Sequence, residues 1–572
     1  MVLTLRYSGA SHGGGGGELR RNLRFVLPAA VIATAALTLI GYSSAGQTAS
    51  NTLVYGASAD PALLDPSLVS DGESLRPTAQ IFESLIGFKP GTSTVVPGLA
   101  TGWKVSKNHL AWTFALRKGV KFSDGTPFNA AAVCFNFSRW YDFPAPLQSD
   151  ALSYYWQTVF GGFAKPAPGG LGPDKSLYKG CKSHGQYSVS LLLRRPSTSF
   201  LSAIGLPNFG IASPTALRRY QADAGTVDST GVFRPTGTFA TQHPIGTGPY
   251  MLQSWQPGNK LVLVANPRYR GAKPKINRII YIPIGDAAAR LQAFQSGELQ
   301  AYDNVGPQDF ATIRGNKKFK LHLRPPTSTG YVGINESIAP MNNPLVRQAL
   351  AYGLNGAAVA KAFYGGAGTP ANQFLPPSLG GYAKKGVPTY NYNPAKSIAL
   401  LKQAGLSTPV KVDFWYPTSI SRPYMPDPQR NFEVFQASLN KAGFQVVPHS
   451  APWRPDYRAG VQAGRYQLFL FGWNPDFIDP ANYLNVHFGS KTAQFGFSNA
   501  PLFALLARAD AEPNLDKRAA LYQLASVQVM KLLPVVPYVW AAGAVAIDSN
   551  IKGFVPSPIG TVNESMATLS YG

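Results

Sequence analysis

Asn343-Pro344, Asn393-Pro394 and Asp427-Pro428 each put a short polar side chain directly before a proline. Such a side chain accepts from an unpaired amide of a first helical turn, and proline at the first helical position has no amide to leave unsatisfied. Three helix starts are thereby placed, and Gly405 and Gly443 stand where the second and third of these helices should stop. Between them, "VKVDFWY" (410–416) alternates Val410, Val412 and Phe414, and "YQLFLFG" (466–472) is a short apolar run suited to a buried strand. Strands alternating with helices predict an α/β fold with a mainly parallel sheet.

A chain of 572 residues exceeds the size at which one core stops growing, so two or more domains are expected. Its start differs in kind. Arg20, Arg21 and Arg24 precede a charge-free apolar stretch from Phe25 to Ile40, and Ser43 and Ala45 supply small residues at peptidase spacing. Residues 1–45 thus predict a signal peptide, cleaved after Ala45, or an uncleaved N-terminal anchor. "LTLIGYSS" resembles a bacterial lipoprotein box, with Tyr42 where the lipid-bearing cysteine would stand. Export makes Cys134 and Cys181 the candidates for one structural disulfide.

The chain carries a net +24; the leader, with four arginines and one glutamate, accounts for +3, leaving +21. The cations are scattered mostly singly, without the stripe or aromatic-flanked motif of a nucleic-acid binder, so no nucleic acid is expected. Attraction to anionic lipid head groups or wall polymers needs no specific site and accounts for the charge. Between residues 163 and 245, "KPAPGGLGPDKS" and "DSTGVFRPTGTFATQHP" predict long surface loops.

In open α/β sheets ligands bind beyond the carboxyl ends of the strands. Two loops occupy that position: "PTSISRPYMPDP" (417–428), carrying Arg422, and "WNPDFIDP" (473–480), carrying Asp476. Opposite charges at one sheet edge, set among prolines and aromatics, suit a zwitterion, although Asp beside Pro is also a common turn former.

Four segments then resemble, in order, the solute-binding proteins of bacterial ABC importers, in the large three-domain class that carries dipeptides, oligopeptides and nickel chelates (family 5). They are "WTFALRKGVKFSDGTPFNAAAVCFNFSRW" (112–140), "GTGPYMLQSWQPGNKLVLVANPRYRG" (246–271), "VGINESIAPMNNPLVRQALAYGLN" (332–355) and "YNPAKSIALLKQAG" (392–405). The resemblance implies a two-lobed periplasmic-binding-protein-like fold with the ligand cleft between its lobes. Lobe one would hold residues 52–305 and 535–572, with a subdomain at about 86–235, and lobe two residues 306–534. It also implies that Asp476, after the Gly472-Trp473 turn, holds a peptide's α-amino group. Arg422, in "SRPYMP" with Tyr424, would hold the α-carboxylate of a dipeptide. Trp473, Trp415 and Tyr424 would line side-chain pockets, and Asp479 is read as a turn residue.

The implied partners are a small peptide and an ABC permease in the membrane, with the protein an exported monomer, periplasmic or on the outer face of the cytoplasmic membrane. No cofactor or metal is called for. The chain lacks HExxH, a Walker-type loop and a GxSxG elbow, and its histidines are dispersed, so an enzyme is not expected. The competing reading is the same fold binding another solute: a metal chelate, a sugar or a peptide-like compound.

Overall fold

A computed structural model describes residues 51–149, 151–228, 232–558 and 565–572; the leader lies outside the described residues. Asn343, Asn393 and Asp427 cap helices Pro344–Gly353, Pro394–Gln403 and Pro428–Lys441, each accepting a backbone amide of the first turn. Gly405 (φ 77°) and Gly443 (φ 89°) leave the second and third helices in the left-handed conformation that glycine adopts at least cost. Val346, Leu350 and Leu354 are all buried along one side of the first.

Three sheets organise the described residues. The first has seven strands, in the order Tyr250–Gln256, Lys260–Ala265, Arg278–Pro283, Thr52–Ala57, Ala301–Asp303, Ala544–Asp548 and Phe319–Leu323. The second has six: Gly368–Pro370, Val535–Ala541, Ser328–Ile334, Leu468–Trp473, Val410–Thr418 and Phe444–Pro452. The third is a four-stranded antiparallel sheet, Ala100–Val105, Ala111–Leu116, Ser188–Leu193 and Tyr178–Ser183, whose hairpins lie within the segment read as a subdomain.

The expectation of a mainly parallel sheet needs correction. Val410–Thr418 pairs in parallel with Phe444–Pro452 and with Leu468–Trp473, but the other three pairings of the second sheet are antiparallel. Helix Pro428–Lys441 provides the crossover between the first parallel pair. The antiparallel half is built from Ser328–Ile334 and Val535–Ala541, which enter from distant parts of the chain.

Phe319–Leu323 pairs with Ala544–Asp548 in the first sheet, and Val535–Ala541 pairs with Ser328–Ile334 in the second. The chain therefore passes between the first and second sheets at 324–327 and 542–543. Leu468–Trp473 is buried on both faces. Leu468 and Leu470 pack with Val412, Phe414 and helix Pro428–Lys441, while Phe469 packs with Tyr331 and helix Pro480–Phe488. That double burial explains why its sequence runs apolar instead of alternating.

Cys134, in helix Ala130–Tyr141, is bonded to Cys181, in the edge strand Tyr178–Ser183, across a separation of 47 residues. Reduction should cost about 4 kcal/mol by the loop-closure relation. Denaturant unfolding with and without reductant measures this, and ligand affinity should not change, because the bridge lies outside the two ligand loops.

Candidate functional site

Strand Leu468–Trp473 carries Gly472 and Trp473 to its carboxyl end, and helix Pro480–Phe488 begins seven residues later. Asp479 is the helix cap, accepting from the Ala481 amide, and its carboxylate is gripped by the Arg518 guanidinium at 2.9 and 2.7 Å. It is thus more than the turn residue expected: a buried ion pair fixes the helix against helix Leu515–Leu532.

Asn482 holds the intervening loop. Its Oδ1 accepts from the Asp476 amide (2.8 Å) and from Trp473 Nε1 (3.3 Å), and its Nδ2 donates to Asp476 Oδ2 (3.1 Å). The other carboxylate oxygen accepts from the Tyr155 hydroxyl at 2.9 Å, across 321 residues of sequence. Tyr155 lies on helix Tyr154–Phe160, packed in the core of the third-sheet subdomain, and Phe477 inserts into that same core. Asp476 is therefore tied to the core beneath the third sheet.

Both hydrogen bonds to the half-buried Asp476 carboxylate come from neutral donors, and no cation pairs with it among the described residues. Burial pushes its pKa up to about 6, with the bonds from Asn482 and Tyr155 opposing the rise. The nearby His487, edge-on to Trp473 at 4.7 Å, supplies no counter-charge, because burial lowers its pKa to about 4.

Arg422 lies in a tight turn closed by reciprocal backbone bonds with Met425, of 3.1 and 2.8 Å. The next turn residue but one, Tyr424, is buried, and its carbonyl accepts from the Tyr364 and Tyr538 hydroxyls (2.7 and 2.8 Å). Its ring lies so close over Gly472 that a Cβ there would collide with it. Gly472 thus permits the close approach of the two loops, which the sequence placed at one sheet edge.

Arg422 has no carboxylate partner among the described residues; its guanidinium is 6.0 Å from the centre of the Trp453 ring. It lines a small cavity of about 30 Å³ with Asn304–Pro307, Pro423, Pro426 and Ala542–Ala544, at the passage between the two sheets. Asp476 does not line that cavity. Trp415 lies among other aromatic rings. Its ring stacks on His449 (4.6 Å) and Tyr466 (4.1 Å) on the sheet face, and no described contact links it to Asp476 or Arg422. Tyr155 and Asn482 were not legible as site residues; a buried Asn two residues after a helix-starting proline was the one available local hint.

The model of bacterial extracellular solute-binding proteins, family 5 (middle), matches residues 94–495. The chain belongs to family 5. This family 5 solute-binding protein is 31% identical over 540 residues to the dipeptide-binding protein of Escherichia coli (strain K12), covering 92% of this chain and 96% of that one. It is 30% identical over 531 residues to heme-binding protein A of Haemophilus influenzae, covering 91% and 92%. Among solved structures it superimposes on the ABC transporter-associated periplasmic binding protein DppA from Helicobacter pylori in complex with peptide STSA. That match has a TM-score of 0.75 at 25% identity, over 91% of this chain and 98% of the other. No described helix of the family 5 protein is long and apolar enough to cross a membrane, and no described group of His, Cys, Asp or Glu is arranged to hold a metal ion.

Proposed function

We propose that this family 5 solute-binding protein captures dipeptides or short peptides outside the cytoplasm and hands them to an ABC import permease. It does so as an exported monomer and without catalysis. The observation that carries the reading is Asp476: a half-buried carboxylate whose hydrogen bonds among the described residues come from neutral donors, Tyr155 and Asn482. A carboxylate so placed is matched at least cost by a cation brought in from outside, and a peptide's α-ammonium is such a cation. Arg422, without a carboxylate partner among the described residues and on the adjoining loop, is the group for the ligand's other end, since its fork meets a carboxylate with two parallel bonds.

Calorimetry on Arg422→Ala tests the assignment at the carboxylate end. Free peptides should lose about 2–5 kcal/mol of affinity, the scale for truncating one partner of a buried charge pair, while C-terminally amidated peptides lose less than about 1 kcal/mol. Equal losses would remove Arg422 from that role. A thermal-shift panel of dipeptides, tripeptides, sugars and nickel separates this reading from a different solute, because a bound ligand raises the melting temperature by mass action.

A further inference from the structure

The positive charge is not evenly spread. Residues 86–200 hold thirteen lysines and arginines against four acidic residues, and no carboxylate occurs between Glu83 and Asp124 or between Asp174 and Asp223. Those two acid-free segments supply the four strands of the third sheet.

Strand pairing sets Lys104 opposite Thr113, Thr113 opposite Ser190, and Ser190 opposite Lys182. Directly opposed residues share a face, and side chains alternate between faces along each strand. Phe114, Val189 and Leu191 point into the core, each fully buried, so Lys104 and Lys182 flank the opposite face from its two edge strands. Three strand spacings put their backbones about 14 Å apart. The floor between them carries Thr113, Ser190 and Leu192, with the His184 ring bonded to Ser190 Oγ at 2.9 Å. Gly102 and Gly180 have open space where a Cβ would stand, and Ala115 is exposed. Lys107, Lys118, Lys179 and Arg194 are exposed at the ends of the same sheet. The ion pairs among the described residues of this segment, Arg139 with Asp65 and Asp223, Lys175 with Asp174, and Arg234 with Asp228, use none of these cations.

The result is a face whose strands carry no acidic residue, and Trp103 and Trp112 fall on the core-facing rows. Such a face complements a planar polyanion. We propose that it docks on the anionic lipid head groups of the membrane that holds the permease, whichever solute is carried. Docking concentrates the loaded protein in two dimensions.

The test is sedimentation of the exported protein with vesicles of phosphatidylcholine alone and of phosphatidylcholine with phosphatidylglycerol, at low and high salt. The parent protein should bind the anionic vesicles more tightly than the neutral ones, and the difference should shrink with salt. Changing Lys104, Lys107, Lys179 and Lys182 to Gln should lower anionic-vesicle affinity roughly a hundredfold or more, at about fivefold per lysine. The Lys→Arg versions should retain it, which separates lost charge from lost folding. Removing the same charge from lobe two, at Lys384, Lys402, Lys411 and Lys441, should change it less than about tenfold. Equal losses from both sets would mean diffuse charge attraction, and no preference of the parent protein for anionic vesicles would mean that the face serves another partner. Either result overturns the proposal.

Discussion

Asp476→Ala should weaken peptide binding by about 3–5 kcal/mol, roughly two to four orders of magnitude in dissociation constant, as measured by calorimetry. The magnitude follows from what the substitution leaves behind: a ligand ammonium drawn into a half-buried site whose remaining groups, the Tyr155 hydroxyl and the Asn482 amide, both point donors at it. Asp476→Asn keeps the volume and removes the charge, so a comparable loss there assigns the effect to charge. Unchanged affinity in either variant would end the assignment.

The same carboxylate sets a pH signature. Its pKa in the empty protein is raised to about 6, and only the ionised form attracts an ammonium. Affinity should be flat above about pH 6 and fall up to tenfold per pH unit below it, and the Asn variant should lack this dependence. For stability the sign is the opposite of an ion-paired acid. With a folded pKa above the ordinary value of 3.8, this group's contribution improves as pH falls from above 6 toward 3.8.

The second large effect is expected at the passage between the two sheets. Asp303 accepts from Arg324 at 2.7 and 3.2 Å and from Arg76 at 3.0 Å, and all three side chains are buried. Arg324 is the first residue after strand Phe319–Leu323, and Asp303 ends strand Ala301–Asp303, so the cluster pins the chain where it leaves the first sheet. The two guanidiniums hold the Asp303 pKa down to about 2 against the opposing effect of burial. Asp303→Ala removes the carboxylate both arginines share and should destabilise the fold by about 3–5 kcal/mol in urea unfolding. A change below about 1 kcal/mol would contradict the accounting. Here the folded pKa lies below the unfolded value, so the stabilisation is present above about pH 3.8 and is lost as pH falls toward 2.

The helix caps, the glycine stops and the doubly buried strand were readable from sequence because each is decided within a few residues. A capping oxygen meets an amide two or three positions on, and an apolar run with no polar alternation leaves neither face for water. Asp476 and Arg422 were singled out by equally local logic, each standing in the loop that follows a strand. What lay beyond sequence was every choice of partner at long range. These were the antiparallel half of the second sheet, the passages at 324–327 and 542–543, the stacking of Trp415 on His449 and Tyr466, and the Arg518 grip on Asp479. The Tyr155 hydroxyl on Asp476, 321 residues away, is the sharpest case. Strand alternation states that a side chain needs a neighbour but is silent on which distant segment supplies it, so only closure of the tertiary structure brings that tyrosine to that carboxylate.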